Sequence, residues 1–442
     1  MREPCKNTSA AEKGKIILWQ IRKVIKSKFP DIFTRLNTLT DNRKRHEYSM
    51  AELVSGALFM FIFKETSRNA YNNDRREECF RKNFYKHFGF HLPHGDSFDE
   101  VLSELGPSEL EGLKATLVAG LIEQKIFRKF RFLGKYYLIA VDATGMVSFD
   151  HQHCEHCLTK TSKNGKTTWF HYVLEAKIVT RTGLCISLAT EFIENVPGLD
   201  FEKQDCEQKA FVRLGMKIKK HFPRLPICIL ADGLYPNSTV FDVCAKNNWG
   251  FIINLKDGNL KTVQTEIDLL RATAKKQMVC TQDKNSRTSH EYSYLNEIEY
   301  AGINYSWVEC TETILKIKTN ITDIQKFTYI TNIFLSEKNV AETANSGRLR
   351  WKIENEGFNT QKNSGYELEH KYSRVSYPAM QNYYHILQIA HMINQLVERS
   401  KEVIEIIEEH SKQTIVDLWK KLIGFMTMVC CPDSVEKPNQ YG

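Results

Sequence analysis

The stretch Tyr136-Tyr-Leu-Ile-Ala-Val-Asp142 is an apolar, β-favouring run that ends on an acid. A second run of this kind, Pro226-Ile-Cys-Ile-Leu-Ala-Asp232, is typical of a buried parallel strand and also ends on an acid. Ligand sites in open α/β sheets lie at such strand ends, so the two acids are candidates for one site. An aspartate after a strand also commonly caps a turn, so neither acid alone would identify a site.

The elements between and after these acids predict the fold class. Two strand-like runs, at 168–179 and 185–193, are joined by the turn Thr182-Gly183, and a helical pattern covers 205–222. A helix at 238–247 and a strand at 250–255 follow Asp232. The resulting order, β-β-β-α-β-α-β, predicts an α/β protein with a ribonuclease-H-like core.

The flanking segments complete the predicted organisation. Residues 1–130 have helical apolar spacing, with Ser49 and Glu52 placed as a capping box. The most apolar run, 56–63, is far shorter than the roughly 18 residues that span a bilayer, so it predicts a buried helix and no membrane partner. We therefore expect a helical, basic DNA-binding region at 1–130, a catalytic core at 131–400 with a β-rich insertion at about 256–326, and a C-terminal helical tail at 401–442.

Charge and cysteine usage suggest the compartment and the partner. The net charge is +8, and residues 1–50 contain twelve Lys or Arg against five acids. This surplus fits a polyanionic partner, although ordinary solvated basic helices would look the same. The twelve cysteines are scattered and the N-terminus lacks a signal-peptide pattern, so we expect a reducing cytoplasm.

A third acid is offered by the run Arg348-Leu-Arg-Trp-Lys-Ile-Glu-Asn-Glu-Gly-Phe-Asn-Thr-Gln-Lys362, which we predict to lie in a helix at 339–360. Three carboxylates from distant segments suit a pair of divalent cations, which need shared hard oxygen ligands at a spacing of about 3.5 to 4 Å. Glu354 is preferred to Glu356, because two helical steps turn the side chain by roughly 200° and only one can face the aspartates. Arg350, one turn from Glu354, can present a guanidinium on the same face. A surface ion pair is the alternative interpretation of that spacing.

The segments VDATG, LADGLYPN and RWKIENEGFNTQK resemble the three catalytic blocks of bacterial insertion-sequence transposases with a D-D-E active site. Within these the chain is similar to the cut-and-paste group with a β-rich insertion between the second Asp and the Glu, over about residues 131–395. That group has a Tyr three residues before the Arg and a Lys seven after the Glu. Here those positions hold Gly347 and Gln361, and Lys362 stands one residue later.

The resemblance implies roles, cofactors and partners. Asp142, Asp232 and Glu354 would be catalytic and would bind two Mg²⁺ or Mn²⁺ ions, and Arg350 would neutralise a phosphate. The partner would be double-stranded DNA, both the terminal inverted repeats of an element and its target, bound by a homodimer in a bacterial, nucleoid-associated setting. The basic residues after the Glu helix would contact phosphates, and these are Lys362, Lys371 and Arg374.

A second cluster, His151-Gln-His-Cys-Glu-His-Cys157, contains Cys154 and Cys157 at a spacing that suits zinc. The chain has no second pair of this kind, and the His87–His91 pair belongs to the helical region. We therefore favour a reduced, metal-free loop, with zinc binding as the alternative.

Other interpretations stay open at this point. In the resembling group, a tryptophan of the insertion can stack on a flipped base, and Trp307 is the candidate here, although its neighbours suggest an ordinary strand residue. The chain could also be a transposase-derived DNA-binding protein that no longer cuts, or a nuclease of the same fold that cuts without joining.

Overall fold

The computed structural model describes residues 9–44, 46–195, 204–282, 286–409 and 414–428. Parts of the predicted N-terminal region and of the predicted C-terminal tail, including Arg2, Lys6, Arg45 and residues 429–442, lie outside the described residues. The chain is a mixed α/β protein with a mixed, many-stranded sheet.

The secondary structure follows the chain in this order. The helices are α1 (Ala10–Lys28), α2 (Ile32–Leu36), α3 (Met50–Ile62), α4 (Arg68–Arg76), α5 (Glu78–Phe88), α6 (Gly95–Glu104), α7 (Pro107–Glu123), α8 (Glu207–His221), α9 (Ser238–Lys246), α10 (Lys261–Leu270), α11 (Val340–Arg348), α12 (Thr360–Asn363), α13 (Tyr377–Glu398), α14 (Lys401–Glu409) and α15 (Ile415–Met428). The strands are β1 (Tyr137–Phe149), β2 (Leu158–Thr161), β3 (Thr167–Val179), β4 (Cys185–Ile193), β5 (Ile227–Ala231), β6 (Gly250–Asn254), β7 (Lys275–Gln282), β8 (Ser286–Tyr300), β9 (Ile303–Lys316) and β10 (Ile321–Thr331).

The chain divides into two compact units, and β1 and β3 each contribute residues to both. Of the described residues, those within 9–124, 145–171 and 357–428 form a helical unit, and those within 125–144 and 172–356 form a sheet unit. The N-terminal helices therefore share a unit with the C-terminal helices, whereas the sequence analysis assigned them to separate regions.

Two long apolar helices form the centre of the helical unit. Almost every residue of α3 is buried, as its continuous apolar sequence predicts, and it packs against α13. Ser49 and Glu52 make both hydrogen bonds of the predicted capping box, so the polar start of α3 is satisfied within its own first turn. Within the described part of the chain, no helix combines the length and apolar character needed to span a bilayer.

Side-chain N–H groups of α13 and α15 donate hydrogen bonds to α3 within this unit. Asn394 of α13 donates to the carbonyl of Ile62 at 3.1 Å, and the indole of Trp419 in α15 donates to the same carbonyl at 2.6 Å. That carbonyl lies at the C-terminal end of α3, where backbone oxygens lack helical partners. The C-terminal helices thus complete the hydrogen bonding of an N-terminal helix.

The sheet has the strand order β2–β3–β1–β5–β6–β10–β9–β8–β7, and β4 also pairs with β3. Strand β5 runs parallel to both β1 and β6, whereas β10 runs antiparallel to β6 and begins a run of antiparallel neighbours through β7. The predicted β-rich insertion is therefore continuous with the rest of the sheet, since β10 spans residues of both. Strand β7, at one edge, is largely exposed.

Two elements near the predicted catalytic residues differ from expectation. The strand expected to end at Asp142 continues as β1 to Phe149. The helix expected at 339–360 is broken after α11, and Ile353–Asn359 form a π-helical segment. Such widened turns are often found at functional sites in other proteins, because they rotate side chains relative to an ideal α-helix.

Candidate active site

The register of the sheet brings the two predicted aspartates side by side. Ala140 of β1 is paired with Leu230 of the parallel strand β5, and each aspartate lies two residues further along its chain. Neighbouring strands lie about 4.8 Å apart, so residues at matching positions point from the same edge of the paired region. Asp142 keeps 20% of its side chain exposed and Asp232 keeps 28%.

Arg350 connects the third predicted acid to the first. Its Nη1 atom lies 2.8 Å from Glu354 Oε1 and 3.2 Å from Asp142 Oδ2, so one guanidinium donates to both carboxylates. Arg350 is only 7% exposed, which makes these charged hydrogen bonds stronger than a surface ion pair. Arg350 and Glu354 thus form an ion pair within the sheet unit, and Asp142 is a second partner of Arg350.

Glu356, the alternative to Glu354 in the sequence, has a different partner. Glu356 is paired with Lys352, and Nζ of Lys352 lies 2.5 Å from Oε1 of Glu356. Glu354, two residues earlier, is joined to Arg350 and through it to Asp142. The two glutamates therefore belong to separate ion pairs, and Glu354 is the one grouped with the aspartates.

The surroundings of Asp142 raise the pKa of its carboxyl group. Burial, with smaller contributions from Glu354 and Asp232, raises the pKa of Asp142 from 3.8 to about 7, although Arg350 and the backbone N–H of Ala143 act to lower it. Three carboxylates that share a partly buried site are a hard-oxygen donor set, which suits Mg²⁺ or Mn²⁺. Their oxygens are of the kind that the ions implied by the resemblance prefer, but among the described residues these acids do not form a group whose ligand oxygens all lie within 4.8 Å of one another.

Lys256 is a site residue that sequence reasoning missed. Its Nζ lies 3.4 Å from Asp232 Oδ2, and its side chain is 60% exposed. The aliphatic part of Lys256 crosses Gly233, where a Cβ atom would lie within 2.6 Å of it. Gly233 follows the second aspartate directly, so its lack of a side chain lets the lysine reach the carboxylate.

A fourth carboxylate also lies near the aspartates. Burial raises the pKa of Glu207, at the start of α8, and Asp232 raises it further. The hydroxyl of Tyr235, which is fully buried, donates to Glu207 Oε2 at 2.9 Å. Sequence reasoning gave no signal for Glu207, because it follows no strand and belongs to none of the three blocks.

The ring of Tyr329 lies beside Gly347, the position at which the resembling group has a tyrosine. A Cβ atom at Gly347 would lie 2.7 Å from the ring of Tyr329, which comes from β10. Burial raises the pKa of Tyr329, while Arg348 and Arg350 lower it, so the ring lies close to the arginines of this segment. A tyrosine is thus present beside Gly347, although from a position that the motif does not predict.

The predicted phosphate-binding residues lie in the helical unit. Lys371 and Arg374 are exposed, whereas Lys362 is half-buried and pairs with Glu369 at 2.7 Å. Gln361 is fully buried and donates to Gln388 of α13 at 2.8 Å. The Lys position of the motif therefore holds a core residue here, and its neighbour Lys362 has an acidic partner.

The Cys154–Cys157 loop also lies in the helical unit, next to a histidine of β3. The two Sγ atoms are 3.8 Å apart, and each is 3.5 Å from Nε2 of His171. His171 and Cys157 are buried, and Cys154 is half-buried. Sequence reasoning missed His171, because it lies on another strand and outside any recognised spacing.

Trp307 is an interior residue of the sheet unit. It is 1% exposed, is paired with Ile330 and Leu295 on the neighbouring strands, and has the guanidinium of Arg271 5.2 Å from its ring centre. An indole that stacks on an extruded base must present a free face. The structure places Trp307 as an ordinary buried strand residue, the alternative that its neighbours in the sequence suggested.

Comparisons with known proteins add no family assignment. No protein-family model matches the chain, and no curated protein matches it.

Proposed function

We propose that this protein is a DNA transposase of the D-D-E type, which cuts and rejoins DNA strands. The observation that carries the proposal is the grouping of Asp142, Asp232 and Glu354. The first two are aligned by the parallel register of β1 and β5, and the third is held to Asp142 through Arg350. Three acids predicted from separate sequence blocks are thus associated in one unit.

The strand order supports a ribonuclease-H-like core. If the short β2 is left aside, the strands β1, β3 and β4 precede α8, the first helix of the sheet unit. Strand β1 lies between β3 and β5. The later strands β5 and β6 run parallel, and β5 is parallel to β1. This is the arrangement that the order β-β-β-α-β-α-β predicts for such a core, and the insertion β7–β10 extends it beyond β6.

The chain's own residues have distinct roles in the proposed chemistry. When bound, Mg²⁺ or Mn²⁺ would be held by Asp142, Asp232 and Glu354 and would activate the attacking oxygen and stabilise the leaving one. Arg350 holds two of these carboxylates in place and supplies a guanidinium that can neutralise a phosphate. Lys256 adds an exposed positive charge beside Asp232. Water would attack in strand cleavage and a DNA 3′ hydroxyl in strand joining, so no covalent bond to the enzyme is required.

The proposed partner is double-stranded DNA, recognised at terminal repeats and at a target site. Exposed Lys371 and Arg374 are available for phosphates, and the described basic residues among the first 50 belong to the same helical unit. Each phosphate contact releases bound counterions from the DNA and contributes about −0.9 to the slope of log K against log salt. A homodimer on the DNA would let one chain act at each of two ends.

A DNA-binding protein without catalysis is the second candidate. Gln361 favours it, because the position of the group's lysine is occupied by a fully buried amide that cannot reach DNA. All three carboxylates are retained, and this favours the enzyme.

The test uses the full chain and a plasmid that carries the DNA flanking its reading frame. We expect Mg²⁺-dependent nicking and joining, lost in Asp142→Asn, Asp232→Asn and Glu354→Gln. Glu356→Gln is the matched control, since it removes an equal charge two residues away and only breaks the pair with Lys352. Gel-shift binding should persist in all four variants, because the carboxylates hold metal rather than the duplex.

Three outcomes would contradict the proposal. Binding without any cleavage supports the non-catalytic candidate, and cleavage without joining supports a nuclease. An active Glu354→Gln beside an inactive Glu356→Gln would overturn the choice of glutamate.

A further inference from the structure

The Cys154–Cys157 loop and His171 have the dimensions of an occupied tetrahedral metal site. A zinc ion with bonds of about 2.3 Å to sulfur and about 2.0 to 2.1 Å to nitrogen requires ligand separations of about 3.8 Å for S···S and about 3.5 Å for S···N. The observed separations are 3.8 Å between the two Sγ atoms and 3.5 Å from each Sγ to Nε2 of His171. All three edges of one tetrahedral face therefore agree with zinc.

The sulfur atoms are arranged as separate ligands. Neither Cys154 nor Cys157 is in a disulfide, which would need an S–S distance of about 2.05 Å. A disulfide does not require its two sulfur atoms to lie at the same distance from an imidazole nitrogen, as they do here. The geometry is thus that of two separate sulfur atoms beside one imidazole nitrogen, as a metal site requires.

His153 offers a candidate for the fourth ligand atom. Its Nε2 lies 2.7 Å from the carbonyl oxygen of Arg374, and a carbonyl can only accept, so Nε2 carries the proton and Nδ1 carries the lone pair. Nδ1 is buried and has no hydrogen-bond partner among the described residues. One ligand atom each from His153, Cys154 and His171 lie within 4.8 Å of one another. A backbone carbonyl that fixes the tautomer is a common outer partner of metal-binding histidines.

The surrounding aromatic rings hold these imidazoles in place. Tyr377 stacks on His171 with ring centres 4.5 Å apart, and Phe149 stacks on His153 at 4.1 Å. Both rings restrict rotation of the imidazoles. The ligands are therefore pre-positioned, which lowers the entropy cost of binding a metal.

We propose that Cys154, Cys157, His171 and His153 bind one zinc ion in a closed structural site. Four protein ligands leave no open position for water or substrate, so the ion has no catalytic role. It fastens the 150–157 loop to β3, and the bond from His153 to Arg374 extends this link to the segment before α13. The site is independent of the proposed DNA chemistry, because its ligands do not include the three acids.

Elemental analysis of the full chain, purified without chelators, tests the proposal. We expect about one zinc per chain in the wild type and less than a fifth of that in Cys154→Ser, Cys157→Ser and His171→Ala. Cys206→Ser and Cys280→Ser are matched controls at exposed cysteines and should keep the ion. His151→Ala should also keep it, because His151 is exposed and is hydrogen-bonded to Asp150, whereas His153→Ala should weaken zinc retention against a competing chelator.

Cobalt exchange on the wild-type chain keeps the test valid if the cysteine variants fail to fold. Co²⁺ bound by two thiolates in a tetrahedral site gives intense visible bands and a sulfur charge-transfer band, and zinc should displace both. Wild-type protein without zinc that also shows no cobalt spectrum would overturn the proposal. So would a mass two hydrogens lower for the Cys154–Cys157 peptide together with no bound metal, since the pair would then be a disulfide.

Discussion

Replacing Asp142 by Asn should stabilise the protein while removing its proposed activity. Burial, with Glu354 and Asp232 nearby, raises the pKa of this carboxyl from 3.8 to about 7, so its charged form is less favourable in the folded chain than in the unfolded one. This rise corresponds to about 4 kcal/mol at most. The side chain is one-fifth exposed and can relax toward water, so we expect a gain of about 1 to 2 kcal/mol in the free energy of unfolding.

The pH dependence of this gain follows from the direction of the pKa. Below 3.8 the carboxyl is protonated in both states, and the variant and the wild type should be equally stable. Between 3.8 and about 7 the folded chain keeps the proton that the unfolded chain releases, so wild-type stability falls as the pH rises. The side-chain amide of the variant does not titrate, so the advantage of Asp142→Asn should grow through this window and be complete above it.

Urea unfolding followed by tryptophan fluorescence at about pH 4.5 and about pH 8 measures the effect. Glu356→Gln is the control, and it should gain nothing because it loses the ion pair with Lys352. Adding Mg²⁺ should stabilise the wild type at the higher pH and reduce the difference from Asp142→Asn. A variant that is less stable than the wild type at about pH 8, or a difference that does not change with pH, would refute the reasoning.

Other changes should separate buried contacts from exposed ones. Gly347→Ala should cost about 1 to 3 kcal/mol in thermal unfolding, because its Cβ atom would lie 2.7 Å from the ring of Tyr329; an unchanged melting temperature would contradict this contact. Arg350→Ala should cost about 3 kcal/mol, since it leaves two partly buried carboxylates without their shared donor. Lys256→Ala should change the same measurement by about 0.5 kcal/mol or less, because the lysine is 60% exposed; a larger loss would show a buried role. Lys371→Ala should lower the slope of log K against log salt by about 1 in a DNA-binding titration, and an unchanged slope would exclude a phosphate contact.

The local pattern of apolar and polar residues correctly predicted those helices and strands whose first and last residues are determined by their own sequence. The strand predicted at 185–193 is β4, and the helix predicted at 238–247 is α9 to within one residue. The polar run Asp-Ala-Thr-Gly after Val141 resembles a turn, but β1 continues through it. Pairing with neighbouring strands overrides the local preference there, and a single sequence does not show that pairing.

The candidate site was predictable only where a motif fixes the position of a residue. The three acids could be chosen from their blocks, and Arg350 from its spacing to Glu354. The π-helical segment could not, because one widened turn hardly changes the apolar spacing of the sequence. The contacts of Lys256, Tyr329 and His171 with their partners arise from the fold. These partners are far apart in the sequence, so no regular spacing of residues indicates them.

The sharing of the Ile62 carbonyl by α13 and α15 affects how the chain can mature during synthesis. Most of α3 leaves the ribosome more than 300 residues before Asn394 and Trp419, which complete its C-terminal end. The sheet unit is encoded between them and can close first, whereas the apolar faces of the first helices must wait for the last ones. A nascent chain would therefore carry an exposed, aggregation-prone bundle until α15 has been translated, and chains truncated before α15 should be substrates for chaperones and proteases.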